Sequence, residues 1–252
     1  MSIIYLRSPK NPATCWTMTR TTIPKSHHSL PLIMHILIIG GSGRTGQLTI
    51  EELLRRGHQV TALVRKPSAI KQQIGLRIVQ GTPTSRDDVR AAFQADVPDV
   101  VIVTLSAPRA SDSPFAAPIS PPRLMADCNA NVALAMKEFG VKKVVILQAF
   151  GVGNSWKNMN CALQLLMKKS NMIYQYEDHN HTDREVRASG VDFVLVRPAR
   201  LVDTDAQNVK LWPQDGKGVP LMASISRVSV ACWLVDAAER NDWDNTAPVI
   251  TN

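Results

Sequence analysis

The stretch 36-ILIIGGSGRTG-46 joins an apolar run to a cluster of four glycines. It fits two patterns, since Gly41, Gly43 and Gly46 match G-x-G-x-x-G while Gly40, Gly43 and Gly46 match G-x-x-G-x-x-G. An apolar strand that turns through glycines into a helix presents free backbone N–H groups to a pyrophosphate. The residues that follow are typical of a helix, so the stretch predicts a dinucleotide-binding turn.

Composition limits the kind of protein that surrounds this turn. A chain of 252 residues that is 44% hydrophobic fits one large α/β domain. The net charge is +8, but after the first 33 residues the basic residues are interleaved with acidic ones. This pattern disfavours nucleic-acid binding and is compatible with a cationic cleft for a phosphate-bearing ligand. No apolar run approaches the roughly 20 residues that span a bilayer. The four cysteines are far apart and suggest neither a metal site nor a disulfide scaffold, so a reducing, cytoplasmic location is expected.

The first 33 residues differ from the rest of the chain. They are rich in Ser, Thr, Pro and basic residues and contain no acid. Such a composition is found in transit peptides, so a mitochondrial address is one interpretation. The other interpretations are a disordered leader, or an upstream start to a domain that begins at Met34.

Apolar, strand-like runs alternate with helix-like segments from Met34 onward. The strand-like runs are 34–39, 59–64, 76–80, 99–104, 142–147 and 191–196. The helix-like segments are 44–56, 84–95, 122–139, 158–169, 177–189 and 227–240. Short apolar strands separated by helices indicate a sheet buried on both faces. The pattern predicts a Rossmann-type, doubly wound parallel sheet in a single α/β domain over residues 34–252, with a small C-terminal substrate region.

Two irregular segments interrupt the alternation. Residues 106–122 follow the fourth strand and are rich in Pro, Ser and Ala, and residues 198–224 follow the sixth strand. Ligands of open α/β sheets bind outside the carboxyl ends of the strands. Both segments emerge at that edge, where they are expected either to wall a substrate pocket or to be long surface loops.

The end of the second strand indicates which dinucleotide is bound. An NAD site usually carries an Asp or Glu there for the ribose hydroxyls. This strand ends in Val64-Arg65-Lys66-Pro67-Ser68, with two cations and no acid. Because an arginine can bind a phosphate through two hydrogen bonds, the sequence favours NADP(H) over NAD(H).

Four segments in this order carry a family resemblance. They are Gly40 to Gly46, Val64 to Ser68, Gln80-Gly81-Thr82 and 189-SGVDFVLVRPARL-201. On these segments the region from Met34 to the C-terminus resembles the atypical short-chain dehydrogenase/reductases, in particular the NmrA-like NAD(P)-binding and biliverdin/flavin reductase type. A looser resemblance is to fungal oxidoreductases of secondary metabolism.

The resemblance implies a set of cofactor-binding residues. The family uses G-x-x-G-x-x-G, so the register with Gly40 is implied, and Arg65 matches its 2′-phosphate arginine. Thr82 stands where the family often has Asp near the adenine, and the backbone at Leu105 and Ser106 matches a segment that runs past the cofactor. Together with the other residues of the glycine turn and of the end of the second strand, the candidate cofactor-binding residues are Gly40, Ser42, Gly43, Arg44, Thr45, Gly46, Arg65, Lys66, Thr82, Leu105 and Ser106.

Catalytic residues are less clearly indicated. None of the three tyrosines has a lysine four residues later, so the Tyr-x-x-x-Lys pair of typical short-chain dehydrogenases is absent. By resemblance, Asp178-His179 matches an acid–histidine pair of the flavin reductase branch, and a histidine titrating near neutrality suits proton transfer. The alternative is that His179 only hydrogen-bonds a helix end. Gln148 can orient a carbonyl but cannot supply a proton. His181 would point elsewhere on a helix, so no metal site is expected.

These observations lead to one expected function and two alternatives. The leading expectation is an NADPH-preferring oxidoreductase that transfers hydride to a small conjugated acceptor such as a flavin, quinone or enone-type metabolite. The first alternative is a non-catalytic, NADP-sensing regulatory protein of the NmrA-like type, and the second is an isomerase or epimerase that retains its nicotinamide cofactor. The expected partner is a small-molecule substrate, not a nucleic acid or a membrane, bound by a monomer or small homo-oligomer.

Overall fold

Strands and helices alternate along residues 33–111, 113–205 and 207–252, which the computed structural model describes. The strands are β1 His35–Ile39, β2 Gln59–Val64, β3 Leu76–Gln80, β4 Val100–Val103, β5 Lys143–Leu147, β6 Asp192–Pro198, β7 Arg200–Val202, β8 Lys210–Trp212, β9 Ser224–Ser226 and β10 Val249–Thr251. The helices are α1 Arg44–Arg55, α2 Arg86–Ala95, α3 Leu124–Phe139, α4 Cys161–Lys169, α5 Met172–Ser189 and α6 Arg227–Glu239. The predicted leader or transit segment, apart from Ile33, lies outside the described residues.

Eight strands form the central sheet, in the order β3-β2-β1-β4-β5-β6-β10-β8. Neighbouring strands are parallel except β8, which is antiparallel to β10. The strand order reverses between β1 and β4, and open α/β sheets bind their ligands at such a point. The prediction of a doubly wound, mostly parallel sheet in one α/β domain is confirmed.

Both faces of the sheet are covered by helices, so the strands are buried on both sides. In β1, Ile36 and Ile38 belong to the core cluster that α1 and α6 cover, while Leu37 and Ile39 belong to the cluster under α2, α3 and α5. All four side chains are at most 1% exposed. Each such side chain contributes about 1.5–3 kcal/mol on burial, which is why residues 36–39 of β1 are all apolar.

The largest differences from the prediction lie in two parts of the chain. The helix predicted over 177–189 begins five residues earlier, at Met172, because contacts distant in sequence stabilise its first turns: the hydroxyl of Tyr176 donates to the carbonyl oxygen of Phe150 at 3.0 Å. The segment 198–224 contains β7 and β8 and reaches the first residue of β9, and β7 and β9 form a separate parallel pair. Three-residue strands are too short to show a periodic pattern. Among the described residues, none of the helices has the length and hydropathy of a membrane span.

Candidate functional site

At three glycines of the turn from β1 into α1, neighbouring backbone atoms leave little or no room for a Cβ. Gly40 has φ +88°, and a Cβ there would be 2.8 Å from the carbonyl carbon of Thr104. A Cβ at Gly43 would be 3.3 Å, and one at Gly46 only 2.2 Å, from the carbonyl oxygen of Gly40. A Cβ at Gly41 would instead meet the flexible tip of the Ile50 side chain. The backbone constraint therefore follows the register of Gly40, Gly43 and Gly46.

The first turn of α1 can receive an anion. Gly43 is its N-cap and accepts the N–H of Gln47 at 2.9 Å, with no side-chain cap and no acidic residue in the first turn. Unpaired N–H groups and the helix dipole favour negative charge there. Ser42 and Arg44 are exposed at this turn, whereas Thr45 is buried. The missing Cβ atoms leave the backbone open to close approach, which fits a pyrophosphate.

Arg44 also contacts the segment 198–224, one of the two irregular segments in the sequence. Its guanidinium lies 3.5 Å from the carboxylate of Asp203, just after β7. Arg227, at the start of α6, donates to the other oxygen of Asp203 at 2.5 Å. The two pairs connect the glycine turn with the segment 198–224, a link between sequence positions too distant for any local pattern to reveal.

Two further cations lie at the end of β2. Arg65 and Lys66 are both exposed. No carboxylate of the described residues forms a salt bridge with either. They are therefore available to an external anion at the carboxyl edge of the sheet.

The turn after β3 accepts support from a carboxylate of α2 that the sequence did not suggest. The Thr82 N–H donates to Asp88 at 2.8 Å, and its hydroxyl is 2.8 Å from the hydroxyl of Thr84. A Cβ at Gly81 would be 2.8 Å from Cβ of Asp88. Asp88, on α2, thus packs against Gly81 and hydrogen-bonds Thr82, the residue that stands where the resembled family often has an acid.

Gln148 and His179 meet at the carboxyl end of β5. Gln148 is 4% exposed, and its side-chain nitrogen donates to the carbonyl oxygen of His179 at 3.3 Å. The side-chain oxygen of Gln148 is buried and has no hydrogen-bond partner among the described residues. Leu105 and Ser106 follow β4, the neighbouring strand, and are half-buried and exposed respectively.

The structure corrects the expectation that His179 titrates near neutrality. Its side chain is half-buried, and burial lowers its pKa to about 4 because the charged form loses its hydration. At pH 7 the imidazole is therefore neutral and holds no dissociable imidazolium proton.

The neighbouring Asp178 does not act as a partner of the His179 ring. Its two carboxylate oxygens accept the N–H groups of Met125 at 2.8 Å and Ala126 at 2.9 Å, at the first turn of α3. It is a helix cap supplied from α5, so the acid–histidine pair implied by the resemblance is not formed. Burial also raises the pKa of Tyr176 to about 12, which removes this tyrosine as a proton donor.

A buried arginine anchors the end of β6 to three other segments. Arg197 is 0% exposed and donates to Asp183 at 2.6 Å, to the Asn154 side chain at 2.5 Å and to the Gln214 carbonyl at 3.1 Å. These contacts hold α5, the turn after β5 and the segment 198–224 against β6. A charged residue at the end of an apolar strand was the only signal of this role in the sequence.

The described ranges contain no group of three His, Cys, Asp or Glu residues arranged to hold a metal ion. His181 lies on a different side of α5 from His179, since residues two apart on a helix are separated by about 200°.

Comparison with known proteins agrees with the geometry of the glycine turn. A family described as NAD(P)H-binding matches residues 40–241. A 3-diazoavenalumate denitrifying reductase from Streptomyces sp is 32% identical over 113 residues, which are 44% of this chain; the match spans only 36% of that reductase.

Solved structures share the fold at low sequence identity. A Rossmann-fold NAD(P)-binding family protein from Shigella flexneri has a TM-score of 0.64 at 19% identity, over 88% of this chain and 94% of its own. An anaerobillin reductase from Escherichia coli O157:H7 has a TM-score of 0.69 at 16% identity, over 86% of this chain and 96% of its own. A short-chain dehydrogenase/reductase from Veillonella parvula in complex with NADP has a TM-score of 0.67 at 14% identity, over 88% of this chain and 95% of its own.

Proposed function

The chain belongs to the NAD(P)H-binding family, and from this premise we propose that it is an NADPH-dependent oxidoreductase of the atypical short-chain dehydrogenase type. Its acceptor is a small conjugated molecule such as a flavin, a quinone or an enone. The observation that carries the cofactor choice is the exposed pair Arg65 and Lys66 at the end of β2, which no described carboxylate neutralises. Two of the similar proteins are described as reductases, which supports the reaction class.

Cofactor binding is assigned to the carboxyl edge of the sheet. The turn at Gly40, Gly43 and Gly46 receives the pyrophosphate on the open N–H groups of α1. Arg65 binds the 2′-phosphate through its planar guanidinium, and Lys66 adds a point charge. Thr82 and the backbone at Leu105 and Ser106 complete the site along β3 and β4, with Ser42, Arg44 and Thr45 in the glycine turn.

The chemistry is assigned to the corner formed by Gln148 and His179. When bound, NADPH supplies the hydride. The neutral imidazole of His179 offers one N–H and one acceptor nitrogen, and with a pKa of about 4 it orients the acceptor and does not deliver a stored proton. Gln148 orients polar atoms of the bound acceptor through its amide, and solvent supplies the proton.

A charge-reversal variant tests the proposed cofactor. In a thermal-shift assay, NADPH should raise the melting temperature of the wild type more than NADH does, because ligand bound to the native state stabilises it. Arg65→Glu should weaken NADPH binding by about 2–3 kcal/mol, the size of a lost charged hydrogen bond, and spare NADH. Lys137→Glu, an equal charge change on the exposed side of α3, is the control. If Arg65→Glu weakened the binding of NADPH and NADH equally, Arg65 would not be the residue that binds the 2′-phosphate.

Turnover separates the reductase from a second candidate. The described tyrosines lack a lysine partner and Tyr176 is hydrogen-bonded to Phe150, which favours an NADP sensor of the NmrA-like type that binds without reacting. The absorbance of NADPH should fall in the presence of at least one member of a panel of flavins, quinones, enones and aryl diazonium compounds. Tight binding of NADPH without consumption across that panel would favour the sensor.

A further inference from the structure

A cleft with a volume of about 260 Å³ lies between the segment after β4 and the outer side of α5. Its walls include Pro108, Pro118, Pro121, Pro122, Tyr174 and His181. His181 is two residues from His179 on the same helix, so the two rings lie on different sides of α5. The cleft is lined by the segment 106–122 and by α5, including Asp178 next to His179. The proposed function assigns no role to these lining residues.

Contacts with two arginines determine which nitrogen of His181 carries its proton. Nδ1 of His181 is 3.0 Å from a guanidinium nitrogen of Arg123 and 2.7 Å from one of Arg184. A guanidinium can only donate hydrogen bonds, so Nδ1 must be the acceptor. In the neutral ring the proton is then on Nε2, for which the described residues provide no hydrogen-bond partner.

The position of Arg123 is itself restrained. It has φ 63°, a left-handed conformation that non-glycine residues rarely adopt and that persists where surrounding contacts impose it. Its guanidinium lies 3.0 Å from Glu185 and 3.0 Å from Asp127. The tautomer of His181 is thus imposed by a connected network rather than by one flexible contact.

The rest of the lining selects the shape and charge of a ligand. Proline rings and the exposed ring of Tyr174 present flat apolar surfaces, which suit a planar ring. Glu177 and Arg123 also line the cleft, so charges of both signs border it and a neutral ligand is favoured over an ion. A neutral carbonyl oxygen can accept a hydrogen bond from the Nε2–H group of His181.

We propose that this cleft is a second small-molecule site, which binds a planar conjugated ring bearing a neutral carbonyl oxygen that accepts a hydrogen bond from His181 Nε2. The ring lies against the prolines and Tyr174. Binding here is independent of the dinucleotide.

A matched pair of probes tests the proposal on the full-length protein. 2-Acetylnaphthalene and 2-ethylnaphthalene share a shape but only the first has a carbonyl oxygen. Ligand-observed NMR titration should show the acetyl compound bound about three- to tenfold more tightly, as expected for one neutral hydrogen bond. His181→Phe keeps a flat ring without the N–H and should bring this ratio to about one. His181→Gln, which keeps both an acceptor for the arginines and a donor, should retain the preference, whereas Tyr174→Ala should weaken both probes equally.

A second measurement uses the wild-type protein alone and therefore does not depend on whether a variant folds. The ¹⁵N resonance of His181 Nε2 should shift with the acetyl probe and stay in place with the ethyl probe. Equal affinity of the two probes, or a resonance that does not respond, would overturn the proposal. Saturating NADP⁺ and the Arg65→Glu variant should leave both affinities unchanged, and competition by NADP⁺ would also overturn it. A protein that fails to bind NADPH contradicts only the proposed function.

Discussion

Gly46 in α1 lies so close to Gly40 that a Cβ at Gly46 would be 2.2 Å from the carbonyl oxygen of Gly40. Gly46→Ala must therefore push the helix away from the turn. We expect a loss of about 1–3 kcal/mol of stability, as for overpacked interiors, together with loss of the NADPH-induced thermal shift. Gly57→Ala is the control, because no heavy atom lies within 4 Å of a Cβ there and only its φ of +88° is unfavourable. A Gly46→Ala protein that binds NADPH like the wild type would contradict the pinched geometry.

The buried ion pair of Arg197 and Asp183 predicts a large asymmetry between two variants. Burial lowers the pKa of Arg197, and the charge of Asp183 opposes that effect. Asp183→Ala leaves the cation buried without its partner and should cost about 3–5 kcal/mol in urea denaturation. Arg187→Ala breaks the more exposed pair that Asp183 forms at 2.8 Å, and should cost less than about 1 kcal/mol. Equal effects would show that Arg197 is compensated by its other hydrogen bonds.

Glu239 on α6 predicts a pH dependence of stability. Burial would raise its pKa, but hydrogen bonding from His58 and the charge of Arg56 outweigh burial and hold the pKa below its usual range. A carboxyl with a depressed folded-state pKa stabilises the fold above its unfolded pKa, and this contribution is lost as pH falls through the folded value. Glu239→Gln should therefore cost about 1–3 kcal/mol at pH 7, and its difference from the wild type should shrink from roughly pH 5 downward.

The pKa of the neighbouring Asp236 is shifted in the opposite direction from that of Glu239, so the two residues can be compared within one protein. Burial is the largest effect on it and raises its pKa, with Arg56 opposing. Loss of Asp236 should accordingly be best tolerated at high pH, where its buried charge is least favourable relative to the unfolded chain. Urea denaturation of Glu239→Gln and Asp236→Asn at several pH values measures how each stability difference from the wild type changes with pH. A Glu239→Gln difference that grows on acidification would contradict the depressed pKa.

His179 predicts the shape of the rate profile of the proposed reductase. Because its pKa is about 4, the rate of NADPH oxidation should show no inflection from this residue between about pH 5.5 and 8. His179→Phe should therefore alter the rate by a similar factor at every pH in that window. An inflection near neutrality that disappears in His179→Phe would show that the bound acceptor restores a near-neutral pKa and that His179 transfers a proton.

The sequence alone determined the architecture and the position of the glycine turn. Apolar runs such as Ile36–Ile39 are unbroken because both faces of the sheet are buried, and this pattern is local enough to read along the chain. The steric demand at Gly46 is equally local, because it comes from Gly40, six residues earlier, whereas Gly40 itself is crowded by the distant residue Thr104. The pair Arg65 and Lys66 was visible for the same reason, since it directly follows a predictable strand.

Only the tertiary structure decided the states of the side chains around the proposed site. Asp178 caps α3 and not the ring of His179, because α5 packs beside the first turn of a helix that begins some fifty residues earlier. The neutral state of His179 follows from burial, and the tautomer of His181 from two arginines on different elements. Desolvation and hydrogen bonding depend on which groups the fold brings together in space, and no spacing along the chain encodes those distances.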